Sequence, residues 1–98
     1  MPRQLSKPAA PTTPEVADAG VLGRAVRAQR LAAELRIDDA AALCGVSVTV
    51  LSRLENAASG VTSKSLFKVL DGLGLTLLVF DKLEIPQVLA TLSRPARK

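Results

Sequence analysis

The chain has 98 residues, of which 48% are hydrophobic and only 2% aromatic, so it can form one small domain with an aliphatic core. Its formal net charge of +4 favours an anionic partner such as nucleic acid. With no histidine and a single cysteine, the sequence excludes a Cys/His metal site and a disulfide framework within one chain, and no cofactor is predicted. Cys44 is interpreted as a small buried hydrophobic residue, with an intermolecular disulfide as the alternative.

The sequence also argues against an enzyme and against a membrane protein. It contains no nucleophile with a neighbouring base and no glycine-rich phosphate loop after a strand. Asp38 and Asp39 are adjacent, so on a helix their side chains diverge and do not easily form a catalytic pair. No apolar run is long enough to span a bilayer and the N-terminus lacks a signal-peptide core, so the predicted location is the cytoplasm.

Residues 1–19 are predicted to form a flexible N-terminal arm. The segment holds four of the six prolines, with small and polar residues between them: Pro2, Pro8, Pro11 and Pro14. Such a composition does not build a core. Arg3 and Lys7 are candidates for contacts in a DNA minor groove, although a solvated tail is the favoured interpretation.

Residues 20–74 are predicted to form a domain of four helices. The first helix is expected at about residues 20–34, where apolar residues recur at helical spacing: Leu22, Val26, Leu31 and Leu35. Two short helices should follow, at about residues 38–44 and 48–56. The fourth helix should begin near Lys64, after a cap at Thr62 or Ser63, and end at Gly72 or Gly74.

The segment from Ile37 to Asn56 has the pattern of a helix-turn-helix. Gly45 lies at the bend, where a positive φ is free only for a residue without Cβ, and Ser47 can cap the second helix. Ala41 is small where the two helices approach each other. The inward positions are apolar: Ala40, Cys44, Val46, Leu51 and Leu54. Two short helices at a fixed angle can present the second one to a DNA major groove, so the pattern predicts sequence-specific DNA binding.

Residues 75–80, LTLLVF, are predicted to form a strand, because the segment is short, apolar and follows a glycine stop. A single strand does not satisfy its own backbone groups, so the simplest partner is the same strand of a second copy. The residues assigned to this dimer strand are Leu75, Leu77, Leu78, Val79 and Phe80. The alternative is a continuation of the fourth helix.

Residues 81–98 are interpreted as a C-terminal element followed by a basic tail. The apolar residues of the segment allow a short helix that is broken early by Pro86. They are Leu83, Ile85, Val88, Leu89 and Leu92. The role of this element is left open.

The exposed face of the third predicted helix should read the bases. The readout residues are Val48, Thr49, Val50, Ser52 and Arg53. Thr49 can hydrogen-bond a base edge, the valines can contact a thymine methyl group, and Arg53 can reach guanine or a phosphate. The residues assigned to phosphate contacts are Arg36, Asn56, Ser59, Thr62 and Lys64, with Arg24 and Arg27 as further options.

From Leu22 to Val79 the chain resembles an Xre-type, lambda-repressor-like helix-turn-helix domain. The runs LGRAVRAQR, GVSVTVLSRLEN and SLFKVLDGLGLTLLV look especially like HipB-type antitoxins. The resemblance implies a mainly α fold, a lambda-repressor-like bundle of four to five helices with a short C-terminal strand that pairs across a homodimer. It also implies operator DNA upstream of the protein's own gene, a HipA-type Ser/Thr kinase toxin as partner, and a structural ion pair between Arg30 and Glu55.

The chain departs from this family at the start of the second helix. A glutamine commonly opens that helix and grips a phosphate, whereas this chain has Ile37 there, preceded by Arg36 where a capping Thr or Ser is usual. Val48 and Val50 also put apolar groups where a DNA reader usually has polar ones. Two alternatives therefore remain, a toxin-binding module with weak or lost DNA binding and a stand-alone Xre-family regulator.

Overall fold

The computed structural model describes residues 14–92. The elements are α1 (Ala19–Ala32), α2 (Ile37–Cys44), α3 (Val48–Glu55), α4 (Ser63–Gly72), a 3-10 helix (Lys82–Glu84) and α5 (Ile85–Leu92). This order confirms the predicted mainly α class with four to five helices. The predicted ends of α1 to α4 are correct to within about two residues, which is the usual uncertainty of helix boundaries.

Short polar side chains cap three of the first four helices. The backbone N–H of Val21 donates to Asp18 at 3.0 Å, and Ser47 and Thr62 accept in the same way from the third residue of α3 and α4 at 3.1 Å. Each cap satisfies one of the backbone donors that a helix N-terminus leaves unpaired. Arg36 precedes α2 without a side-chain cap, so the start of α2 relies on the two aspartates of its first turn.

The first four helices all end in the same backbone motif. A residue with positive φ follows each helix, and the next N–H donates to the carbonyl five residues back, as in a Schellman motif. The four bonds join Leu35 to Arg30, Val46 to Ala41, Ala58 to Arg53 and Leu75 to Leu70 at 2.8 to 3.1 Å. Glycine supplies the positive φ after α2 and α4, whereas Glu34 and Ala57 adopt it after α1 and α3, which costs a residue with a Cβ about 1–2 kcal/mol.

The core lies between the first four helices and contains no aromatic residue. Its buried members are Val26 of α1, Ala40, Ala41 and Cys44 of α2, Leu51 and Leu54 of α3, Val69 and Leu70 of α4, and Leu73. α1 packs on α3, and α2 packs on both α3 and α4. Phe67 of α4 remains 53% exposed. The core is therefore aliphatic, as the composition predicts.

Residues 75–80 form neither a helix nor a strand in the structure, so the alternative of a continued fourth helix is wrong. α4 ends at Gly72, and Gly74 adopts a φ of +74° that turns the chain away. A strand needs a hydrogen-bonding neighbour, and residues 14–92 of one chain contain no strand that could supply it. The ribbon with a second copy therefore stays a prediction.

The C-terminal element is a helix that Pro86 does not break. Pro86 lies in the first turn of α5, where its missing N–H would have no intrahelical partner. The predicted early break is therefore wrong, because a proline within the first turn leaves a helix intact. Residues 1–13 and 93–98 lie outside the described range. These residues include most of the predicted arm, with Arg3 and Lys7, and the basic tail.

Candidate nucleic-acid interface

The turn between α2 and α3 sets the direction of α3. Gly45 has a φ of +75°, and a Cβ built there would meet nothing within 4 Å. The positive φ, rather than crowding, is therefore what favours glycine at the bend. Leu51 and Leu54 anchor α3 in the core, so the opposite side of this amphipathic helix is left for solvent or a ligand.

The outward side of α3 carries most of the predicted readout residues. Val48, Thr49 and Arg53 are exposed, whereas Val50 and Ser52 are half-buried. Thr49 and Arg53 are four residues apart and so lie on one face of the helix. The first turn of α3 thus presents a hydroxyl and a valine to any ligand that approaches it.

A buried ion pair fixes the C-terminal end of α3 to α1. Nε and Nη2 of Arg30 donate to the two carboxylate oxygens of Glu55 at 2.6 and 2.9 Å, and Nη1 donates to the carbonyl of Leu35 at 3.0 Å. The two side chains are only 9% and 4% exposed. The hydrogen bond to Glu55 raises the pKa of Arg30, and this effect is larger than the lowering of the pKa by desolvation. The pair that the family resemblance implies is therefore present, in bidentate geometry.

Three of the residues considered for phosphate contacts line a single cleft. Arg27, Arg36 and Asn56 border a cleft of about 660 Å³ between the end of α1, the start of α2 and the end of α3, together with the buried ion pair. Ser59, Thr62 and Lys64 belong instead to the loop before α4 and to its first turn, so the predicted phosphate residues form two groups.

Local bonds already engage several of these predicted phosphate residues. The guanidinium of Arg36 lies 3.4 Å from Asp38 and 3.5 Å from Asp39, and such exposed pairs are weak enough to exchange for a phosphate. The amide of Asn56 donates to the carbonyl of Ser52 at 2.8 Å. Thr62 accepts the N–H of Ser65 as the cap of α4. Ser59 and Lys64 are exposed.

Sequence reasoning missed two glycines that shape this surface. A Cβ on Gly23 would lie 2.5 Å from the carbonyl oxygen of Glu55, so α1 lies directly on the end of α3. A Cβ on Gly60 would lie 3.1 Å from Nη1 of Arg53. The signal for Gly23 was available, since a glycine inside a helical pattern often marks a close approach. From the sequence alone, Gly60 carries only the signal of a helix breaker.

The segment predicted to pair across a dimer is mostly exposed in the single chain. Leu75 is half-buried and packs against the core. The other four predicted strand residues, Leu77, Leu78, Val79 and Phe80, are between 41% and 88% exposed. Such a run of four exposed apolar side chains is typical of a segment that contacts another molecule.

A helix-turn-helix with this geometry defines a DNA-binding class of domain, and comparison with known proteins identifies the family. The family model described as a helix-turn-helix domain matches residues 21–78. The chain therefore belongs to the helix-turn-helix domain family and carries a DNA-binding domain. No curated protein is significantly similar to the sequence.

Two solved structures share the fold. One is titled "MDT Protein" and the other "Structure of HipA-HipB-O2-O3 complex". For each, the TM-score is 0.63 at 22% sequence identity, and the similarity covers 69% of this chain and 96% of the other. At this identity the comparison concerns the fold. Within the described residues, no helix has the length and apolar character needed to cross a membrane.

Proposed function

We propose that this protein is a sequence-specific DNA-binding repressor and the antitoxin of a HipA/HipB-like type II toxin–antitoxin system. It binds the operator upstream of its own gene and neutralises a Ser/Thr kinase toxin. The observation that carries the DNA-binding part is the exposed face of α3, held in direction by the turn at Gly45 and by the bidentate pair of Arg30 and Glu55. A short helix anchored in this way can enter a major groove without losing its contacts to the core.

The first turn of α3 reads the bases in this proposal. Thr49 hydrogen-bonds a base edge, and Val48 contacts a thymine methyl group. Val50 and Ser52 flank them and are half-buried. A good bidentate base contact contributes about 1–3 kcal/mol of discrimination, and this turn supplies only one exposed hydroxyl. Part of the specificity therefore comes from DNA shape.

Two groups of phosphate contacts orient the domain. At the cleft, Arg36 and Asn56 face one strand of the duplex, with Arg27 as a further option. In the loop before α4, Ser59 and Lys64 are exposed, and Thr62 caps the helix whose N-terminal N–H groups also favour an anion. The net charge of +4 favours the same ligand.

A homodimer completes the proposal. The apolar residues 77–80 of two copies pair across a two-fold axis, which buries side chains that one chain leaves exposed. Two copies of α3 then face two half-sites of a palindromic operator. The kinase partner is supported by the resemblance to HipB-type antitoxins and by the fold shared with a chain from a structure whose title names a HipA-HipB complex.

Selection from a random-sequence duplex pool tests the DNA-binding part. The selected duplex and a scrambled duplex of equal length are titrated with wild type and with Thr49→Ala at two salt concentrations. We expect salt-sensitive, selective binding by wild type and a loss of selectivity for Thr49→Ala, with an unchanged thermal melt. Failure to enrich any sequence would refute the sequence-specific repressor.

A toxin-binding module without DNA binding is the second candidate. Val48 is 43% exposed on the face of α3, and the guanidinium of Arg36 lies between two aspartates, which favours this candidate over a strong DNA reader. Co-purification with a kinase-like protein encoded by the adjacent reading frame, together with no salt-sensitive binding to any duplex, would establish it. An adjacent gene without a kinase would instead favour a stand-alone Xre-family regulator.

A further inference from the structure

The loop after α3 folds back along the helix it leaves. Ala57 has a φ of +57°, and the N–H of Ala58 donates to the carbonyl of Arg53 at 2.8 Å. Gly60 adopts a φ of +93° further along this loop. The backbone of the loop therefore returns to the last turn of α3, on the side from which Arg53 projects.

The side chain of Arg53 lies against this returned loop. A Cβ built on Gly60 would be 3.1 Å from Nη1 of Arg53, 3.7 Å from its Cδ and 3.8 Å from its Cζ. The stem and the guanidinium thus pass over the bare Cα of Gly60, where a Cβ would crowd Nη1 and make ordinary contact with the rest of the side chain. Within the described part of the chain, no carboxylate pairs with Arg53.

We infer that Arg53 contacts a DNA phosphate and does not read a base, and that Gly60 positions the side chain of Arg53. A recognition helix contacts base edges with its N-terminal residues, whereas Arg53 lies in the last turn of α3. Its guanidinium is directed over the loop that also carries Ser59 and leads to Lys64, both exposed. Three groups suited to a phosphate, namely a guanidinium, a hydroxyl and an ammonium group, thus belong to one end of the interface.

This assignment rests on the DNA-binding function proposed above and changes what Arg53 should contribute. A phosphate contact carries no sequence information, so its loss weakens binding to every duplex alike and reduces the salt dependence. A base contact has the opposite signature, because its loss weakens binding to the selected duplex alone. The two roles are therefore separable by titration.

The experiment compares Arg53→Ala with Thr49→Ala on the selected and the scrambled duplex, between roughly 50 and 200 mM salt. We expect Arg53→Ala to lose about tenfold in affinity for both duplexes and the slope of log K against log salt to fall by about one. Arg53→Lys should keep the slope. Thr49→Ala should lose affinity for the selected duplex only. A loss confined to the selected duplex for Arg53→Ala, or no loss at all, overturns the inference.

The positioning role of Gly60 has its own control. Gly74 has a similarly positive φ of +74° and open space around a built Cβ, so Gly74→Ala imposes backbone strain without touching Arg53. Gly60→Ala should displace the Nε–Hε resonance of Arg53 in the free protein and weaken binding to both duplexes, and Gly74→Ala should leave that resonance unchanged. The effect of Gly60→Ala on binding should vanish in the Arg53→Ala background, and its persistence there overturns this role. If wild type binds no duplex, the proposed function itself fails. If wild type binds and Arg53→Ala binds equally well, only the role inferred for Arg53 fails.

Discussion

Gly23 of α1 lies directly on the carbonyl of Glu55 at the end of α3. A Cβ at position 23 would come within 2.5 Å of that oxygen and within 2.6 Å of the carbonyl oxygen of Leu54. Both atoms belong to the backbone, so they cannot rotate away as the end of a side chain can. The same residue, Glu55, binds Arg30 of α1 through its side chain. The end of α3 is therefore held to α1 by a close backbone approach and by a buried ion pair.

Gly23→Ala should separate α1 from α3. We expect the free energy of unfolding to fall by about 1–3 kcal/mol, as for other overpacked sites, although alanine itself favours a helix. Urea unfolding followed by circular dichroism measures the change. Gly20→Ala is the matched control in α1, because its Cβ would meet only side-chain atoms of Asp18 and Arg24 at 3.2 and 3.5 Å. An equal loss in both variants would contradict the close-approach explanation.

Arg30→Met and Glu55→Gln should each cost about 3–5 kcal/mol of stability, because each leaves a buried charged partner without its counter-charge. The double variant Arg30→Met/Glu55→Gln should cost less than the two single changes together. A double-mutant cycle by urea denaturation measures the coupling. The exposed pair of Arg36 and Asp38 provides the comparison, and its cycle should give less than about 1 kcal/mol. Additive costs at Arg30 and Glu55 would show that the pair is not coupled.

Burial raises the pKa of the Cys44 thiol. The unfolded thiol loses its proton near about pH 8.5, while the folded thiol keeps it to a higher pH. The unfolded state then binds fewer protons, so the contribution of Cys44 to stability is complete below about pH 8.5 and is lost as the pH rises toward the folded pKa. We expect wild type to lose up to about 1.4 kcal/mol per pH unit in this window relative to Cys44→Ala. A constant difference between the two proteins across the window would show that the thiol is not protected.

Leu77→Lys should prevent the proposed homodimer while leaving the fold of each chain intact, because Leu77 is 42% exposed in the single chain. A lysine that must be buried between two strands carries a large desolvation cost. Sedimentation equilibrium should report a monomer for this variant and for Val79→Lys. Val16→Lys is the control, since Val16 is also 42% exposed but lies outside the segment. Two strand variants that both sediment as dimers would disprove the ribbon.

Much of the helical core could be predicted because its determinants are local. Ser47 and Thr62 cap helices from adjacent positions, and Gly45 turns the chain through its own φ. The apolar spacing from Val26 to Leu73 selects the buried face of each helix. The reading of Pro86 failed because one proline is compatible both with a broken helix and with a helix that has just begun, and its distance from the helix start decides between them.

By itself, the sequence determined the first four helices, the cap of α3 and the aliphatic face that each of these helices buries, since these depend on neighbours within a few positions. Only the tertiary structure decided where α1 touches α3 and where the guanidinium of Arg53 lies. Both contacts depend on a glycine. Gly23 is required because Glu55, distant in the chain, lies against it, and Gly60 matters because the loop turns back to bring it against Arg53. The sequence shows that a residue is glycine, but only the folded structure shows which atom lies close to its Cα.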